Sequence, residues 1–271
     1  MSGSIGDALV LGLLQGVTWI LPVSASAHSA LARLLFGVGP APATLVFTVQ
    51  VGILAATALA LRGRLREMGA ECLRALETPR RLVSSPGGRD VLAVVLATFP
   101  TALFAVALSE VVAPWRSSPL ALGIGLALTV LVLLSTQWVG RGQIELPGWS
   151  TVLLIGMGQG LAFSPGVSRS AVTIAIALWL GLRRDRAFEL SMLLSLPLLA
   201  GVALLHLREV LGSSPGWSAA LLGGTAAFLG TSLSLGLLRR AVMSPWFPWF
   251  ALWVGPLAIA TLAMARVWPG R

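Results

Sequence analysis

The 271 residues read as an all-α polytopic membrane protein, a single integral membrane domain over residues 1–271 with six transmembrane helices and two inverted re-entrant helical hairpins. Three observations lead there. Apolar side chains make up 56% of the chain and charged ones only 11%, against about 25% charged in an ordinary soluble domain. Six apolar runs reach the length of about 20 residues that a helix needs to cross the hydrocarbon core. Two further apolar runs are each interrupted by a similar polar segment.

In chain order, residues 8–36 form the first broken run, interrupted by Leu21-Pro22-Val23-Ser24-Ala25-Ser26. Uninterrupted runs follow at 43–61, 91–112 and 119–139. Residues 151–182 form the second broken run, interrupted by Ser164-Pro165-Gly166-Val167-Ser168-Arg169-Ser170, and three more spans cover 188–207, 218–238 and 247–266. Proline and glycine break a helix, and the freed backbone groups are tolerated at membrane depth only where protein or water satisfies them. Each broken run therefore predicts two half-helices that enter and leave by the same face.

The loop at 62–90 carries seven arginines together with Glu67, Glu71 and Glu77. Their spacing favours ion pairs along a helix, so an amphipathic surface helix is expected there. Trp115, Trp149, Trp246, Trp249 and Trp268 stand at span ends, where the amphipathic indole suits the membrane interface.

Every basic residue is arginine. A net charge of +9 could point to nucleic acid, but these arginines sit in short loops between apolar runs, so membrane lipid and not nucleic acid is the expected partner. With both broken runs re-entrant, 13 of 19 arginines fall on one side and four (Arg116, Arg208, Arg266, Arg271) on the other. The arginine-rich side is then cytoplasmic. Full crossing by the second broken run alone would move Arg183, Arg184 and Arg186 outside and shrink the bias. Cys72 is the sole cysteine, which excludes an intramolecular disulfide and a cysteine metal cluster. The first apolar run lacks a basic leader, which argues against a cleaved signal peptide.

The two broken runs align at an offset of 144. Gln15-Gly16 falls on Gln159-Gly160, Trp19 on Phe163, and Val23-Ser24-Ala25-Ser26-Ala27 on Val167-Ser168-Arg169-Ser170-Ala171. With opposite membrane orientation this is an inverted repeat, which places a site near the midplane where the broken helices meet. The alternative is two proline-kinked helices that use serine for packing.

Arg169 stands inside an apolar run, where a charge needs a partner or an aqueous cavity. Its planar fork matches phosphate oxygens in pairs. Ser168, Ser170 and Thr173 add hydroxyls, and a half-helix starting near Ser168 offers amide groups and a positive dipole end. These residues form a candidate phosphate cradle. The alternative pairs Arg169 with Glu189 or another acid. In the first break, Ser24, Ser26 and His28 are candidates for catalysis. His28 could move a proton near neutral pH or simply be hydrogen-bonded. Gln15 and Gln50 could bond substrate or satisfy broken-helix backbone.

The stretches Gln15-Gly16-Val17-Thr18-Trp19-Ile20-Leu21-Pro22-Val23-Ser24 through His28, Pro165-Gly166-Val167-Ser168-Arg169-Ser170 through Thr173, and Glu189 through Pro197 resemble the undecaprenyl pyrophosphate phosphatase family, also known for bacitracin resistance. The likeness covers nearly the whole chain. It implies an enzyme of the bacterial inner membrane, with its site facing outward, that removes the terminal phosphate of a prenyl diphosphate lipid and so recycles the carrier of cell-wall synthesis. A homodimer is compatible with it.

The resemblance carries Ser24, His28, Ser168, Arg169 and Thr173 over unchanged. It departs where the family has Glu at the positions of Gln15 and Trp19, and a serine proposed as nucleophile at Ala25. By resemblance a divalent cation could assist, but Gln15 cannot hold one tightly, and no metal ligand is assigned. Two functions are therefore set side by side. One is a phosphatase using Ser24 or Ser26, His28 and Arg169, with Ser168, Arg169, Ser170, Thr173 and Gln15 on the phosphate. The other is a non-catalytic member that binds or flips prenyl phosphates.

Overall fold

The computed structural model describes residues 5–36, 40–212 and 216–267, and their regular structure is helical. Trp268 and Arg271 lie outside the described residues. Six helical spans are long and apolar enough to cross a membrane: 43–60, 86–115, 119–138, 184–211, 217–243 and 247–266. They match the six apolar runs.

The two broken runs fold as pairs of short helices in contact with each other. The first pair is α1 (Ile5–Ile20) and α2 (Ala25–Phe36), and the span α3 (Ala43–Ala60) follows. The surface segment holds α4 (Arg62–Ala75) and the one-turn α5 (Arg81–Ser84), ahead of the spans α6 (Pro86–Val112) and α7 (Pro119–Ser135). The second pair is α8 (Trp149–Leu161) and α9 (Arg169–Trp179), followed by the spans α10 (Arg184–Leu211), α11 (Trp217–Met243) and α12 (Ala251–Val267). At 1.5 Å per residue, α1, α2, α8 and α9 measure roughly 17 to 24 Å, short of the ~30 Å hydrocarbon core.

The two halves exchange their short helices. In the first half, α1 packs on α11; in the second, α8 packs on α6. Glycines set both contacts. A Cβ on Gly12 would lie 2.1 Å from the Gly223 carbonyl oxygen, and one on Gly16 would lie 2.3 Å from that of Ala227. The residues 144 positions later behave alike: a Cβ on Gly156 would lie 2.5 Å from the Ala97 carbonyl oxygen, and one on Gly160 2.5 Å from Cβ of Phe104. Threonines pin the same seams. Thr231 donates to the Gly16 carbonyl at 3.0 Å, and Thr101 to that of Gly156 at 2.9 Å. Lipid offers no hydrophobic drive between helices, so close backbone approach and such hydrogen bonds hold the bundle. The shared use of small residues makes the repeat a packing feature as well as a sequence one.

The long spans start earlier than their apolar runs. α6 begins at Pro86, with Ser85 as its cap accepting from the Gly88 amide, and α10 begins at Arg184. The polar turns 86–90 and 184–187, expected as loop, are thus helical. Asp90 and Arg186 of these turns are paired: Asp90, 1% exposed, receives Arg64 Nε at 2.5 Å and Arg186 Nη2 at 2.8 Å. Arg186 also pairs with Glu189 and donates to the Glu145 carbonyl at 2.9 Å. The expected surface helix is α4, which packs on α6 through a face that includes buried Met68 and Glu71.

Candidate active site where the two breaks meet

The first break occupies residues 21–24. Ser24 holds φ of 69°, the left-handed region that non-glycine residues seldom adopt. Several bonds fix it there. Its Oγ accepts from the Ala27 amide at 3.3 Å, capping α2, and lies 3.1 Å from Ser26 Oγ. Its carbonyl accepts from the His28 amide and, at 2.9 Å, from His28 Nδ1. Strain of this kind persists only where the surroundings over-determine it.

The second break runs from residue 162 to 168. Ser168 caps α9 by accepting from the Ala171 amide at 3.4 Å, the counterpart of Ser24 and Ala27 in the first half. Ser170 Oγ lies 3.4 Å from Ser168 Oγ, as Ser26 does from Ser24 at 3.1 Å. Gly166 takes φ of 81° and lies so close to α7 that a Cβ would fall 2.2 Å from the Leu122 carbonyl oxygen. Thr129 of α7 bridges the turn, donating to the Gly166 carbonyl at 3.2 Å and accepting from the Ser168 amide at 3.0 Å.

The breaks touch. The Gly166 amide donates to Ser26 Oγ at 3.3 Å, which brings the exposed serine of the first break against the turn that leads into α9. Arg169, the first residue of α9, donates from Nη1 to the Ser191 carbonyl at 3.2 Å. Its Nε and Nη2 are buried with no partner, and it makes no ion pair among the described residues. The alternative partner Glu189 is taken by Arg186. Thr173 is fixed from both sides: its hydroxyl donates to the Arg169 carbonyl at 2.9 Å and lies 2.6 Å from Ser191 Oγ.

Ser24, Ser26, Ser168, Ser170, Arg169 and Thr173 are thus brought to one junction. Ser168 and Ser170 are buried, which makes them better suited to shaping the turn than to touching a ligand. Gln15 Nε2 donates to Ser29 Oγ at 2.7 Å, tying α1 to α2. Its counterpart Gln159 donates to Thr101 and to the Leu194 carbonyl. Gln50 is buried with an unpartnered Oε1, and half-buried Trp19 has a buried, unpartnered Nε1. His28 has both ring nitrogens engaged, Nδ1 by Ser24 and Nε2 by the indole N–H of Trp253 at 3.1 Å.

Sequence reading gave no role to Ser191, which it held only within the Glu189–Pro197 stretch, nor to Thr129 or Trp253. The first two are polar residues inside apolar spans, the signal that could have found them. Trp253 stands inside the last apolar run, where nothing in the sequence set it apart.

The donor set does not fit a tightly held divalent cation. It consists of hydroxyls, amides, a guanidinium and an imidazole whose nitrogens are both engaged, and among the described residues no three of His, Cys, Asp and Glu gather to hold a metal. What it fits is an anion, since the buried N–H groups at Arg169 Nε and Nη2 have no acceptor.

Fold and site define a class: a multi-pass helical membrane protein built on a repeat of broken helices, with an unpaired arginine beside the point where the breaks meet. Residues 8–260 match the family described as bacitracin resistance protein BacA, and the chain belongs to that family. Among its relatives, the undecaprenyl-diphosphatase of Desulforapulum autotrophicum is 33% identical over 90% of this chain and 92% of its own. That of Geobacter sulfurreducens is 34% identical over 95% and 98%. Undecaprenyl-diphosphatase 1 of Rhodospirillum rubrum is 35% identical over 96% and 95%.

Proposed function

We propose that the chain is an undecaprenyl-diphosphatase of the bacterial inner membrane, hydrolysing the lipid diphosphate to the monophosphate and orthophosphate at a site open to the outer face. The observation that carries this reading is Arg169: a guanidinium with two buried, unpartnered groups and, among the described residues, no carboxylate. A buried charge without a partner is expensive, and a phosphate oxygen pair satisfies it in the geometry of the fork. Both broken runs act as re-entrant hairpins in this reading, because none of their four helices is long enough to cross alone.

Phosphoryl transfer needs chiefly positioning and charge stabilisation. Ser26, exposed at the junction, attacks the terminal phosphorus, and the bond to the bridging oxygen breaks to release the prenyl monophosphate. The serine proton passes to His28 Nε2. Water then cleaves the phosphoserine to orthophosphate. Arg169, with Thr173 holding its turn, balances charge on the equatorial oxygens. Ser24 serves by fixing Ser26 and the start of α2, and the unpartnered indole N–H of Trp19 adds a donor on the first-break side.

The test is orthophosphate release from undecaprenyl diphosphate by purified protein in detergent. Release above a heat-inactivated control supports the reading, and its absence from folded protein refutes it. If release is absent, the combined change Gln15→Glu, Trp19→Glu and Ala25→Ser separates a lipid-binding homologue from a wrong fold assignment. It restores turnover only when the cradle is intact.

A further inference from the structure

His28 is locked by a neighbour from the far end of the chain. A carbonyl can only accept, so the 2.9 Å contact with the Ser24 carbonyl places the ring proton on Nδ1. Nε2 then carries the lone pair, and the indole N–H of Trp253, which can only donate, fills it at 3.1 Å. The two ring planes are parallel within 8°, with centroids 6.3 Å apart. In this state the imidazole has no lone pair free to accept a proton.

The lock is placed where lipid meets it. Trp253 is 63% exposed within the apolar span 247–266, and Trp249, four residues earlier on the same side, is exposed as well. A prenyl chain that approaches through the membrane reaches this surface before its headgroup reaches the junction. His28 itself is half-buried, and its Ser24 contact continues through Ser24 and Ser26 to the Gly166 amide. A bonded path therefore runs from the lipid-facing indole to the meeting point of the breaks.

We propose that Trp253 is a specificity-determining gate: its indole N–H blocks His28 Nε2 until an isoprenoid chain packs on the ring and draws it away, so that the base is freed by a lipid diphosphate and not by a short, water-soluble one. The proposal rests on the reading of His28 as proton acceptor. Trp253 acts through His28 and touches the chain, not the phosphates.

The experiment uses full-length protein in nanodiscs, with undecaprenyl diphosphate and a C15 prenyl diphosphate as alternative substrates. Trp253→Phe keeps an aromatic ring and removes the N–H. Breaking one neutral hydrogen bond is worth about fivefold, so kcat/KM for the C15 substrate rises about fivefold while that for the long chain changes less than about twofold. Trp253→Ala raises KM for the long chain as well. An unchanged C15 to long-chain ratio in Trp253→Phe overturns the proposal.

A second readout is independent of turnover. His28 and His206 are the two histidines of the chain, so a His206→Gln background isolates His28 for nitrogen NMR. Its Nε2 resonance moves to the unbonded position in Trp253→Phe, and also in the Trp253 protein on adding a methylene-bridged, non-hydrolysable undecaprenyl diphosphate. A resonance that responds to the variant and to the analogue upholds the gate even where hydrolysis is absent, which would then count against the catalytic reading alone. A resonance that ignores both overturns the gate.

Discussion

At the residue scale, Ser24 and Ser26 separate structure from chemistry although they stand two positions apart. Ser24 holds a left-handed conformation and caps α2, while Ser26 is exposed against the Gly166 amide. Ser24→Gly loses the cap but relieves the backbone, so melting temperature changes little, within about 1 kcal/mol of stability. Ser26→Ala leaves melting unchanged within error and lowers phosphate release by a factor on the order of 10³, the scale of losing an essential group. Phosphate release that survives Ser26→Ala would remove Ser26 as nucleophile and leave water in that role. Arg169, Ser168 and Thr173 were legible in the sequence because polar groups inside an apolar run are rare. What sequence could not supply was the partner of each. Glu189 stood close enough in sequence to claim Arg169, and only three dimensions show it spent on Arg186.

At the scale of elements, the glycine seams and the ion pairs make opposite demands. Gly12→Val forces a side chain onto the α11 backbone and is expected to lower the melting temperature by several degrees, whereas Gly63→Ala, with open space around it, leaves stability the same or slightly higher. Asp90→Asn breaks a buried pair and leaves Arg64 and Arg186 competing for what remains, a loss of about 3 kcal/mol. In the surface segment, the hydrogen bond from Arg74, aided by Arg81, holds the Glu71 carboxyl below its usual range. A carboxylate depressed on folding stabilises fully above its unfolded value of about 4.3, and that contribution fades as pH falls through the lower folded value. Thermal melting followed from pH 6 down to pH 3 is therefore expected to fall more steeply in wild type than in Glu71→Gln. These seams were half visible beforehand: the offset of 144 showed that Gly16 and Gly160 correspond, but not that each lies against a helix from the other half. The polar turns at 86–90 and 184–187 were misread as loop because their charges looked solvent-bound, when in fact Asp90 and Arg186 pair with each other, and Arg89 and Arg184 donate to carbonyls of distant segments.

At the scale of the whole molecule, the arginine asymmetry and the six spans make a topology that chemistry can check. Cys72 is the only cysteine and is exposed on α4. In sealed right-side-out vesicles it stays unlabelled by a membrane-impermeant maleimide until the vesicles are opened. A cysteine placed at Arg116 in a Cys72→Ser background labels at once. The reverse pattern would invert the molecule and turn the site inward. The count of spans was readable from hydropathy alone because length and apolarity decide it. The repeat also led one to expect that the breaks meet; what it could not supply was the contact itself, the Gly166 amide on Ser26 with α7 lying against the second turn through Thr129.

Binding of undecaprenyl diphosphate to wild type and to Arg169→Ala, each titrated in nanodiscs, puts the unpaired guanidinium to trial. Removing a charged partner of a phosphate is expected to weaken binding by about 10²-fold or more, with melting temperature held or raised because two unsatisfied groups leave the interior. Equal affinity in the two proteins would mean that Arg169 does not grip the headgroup.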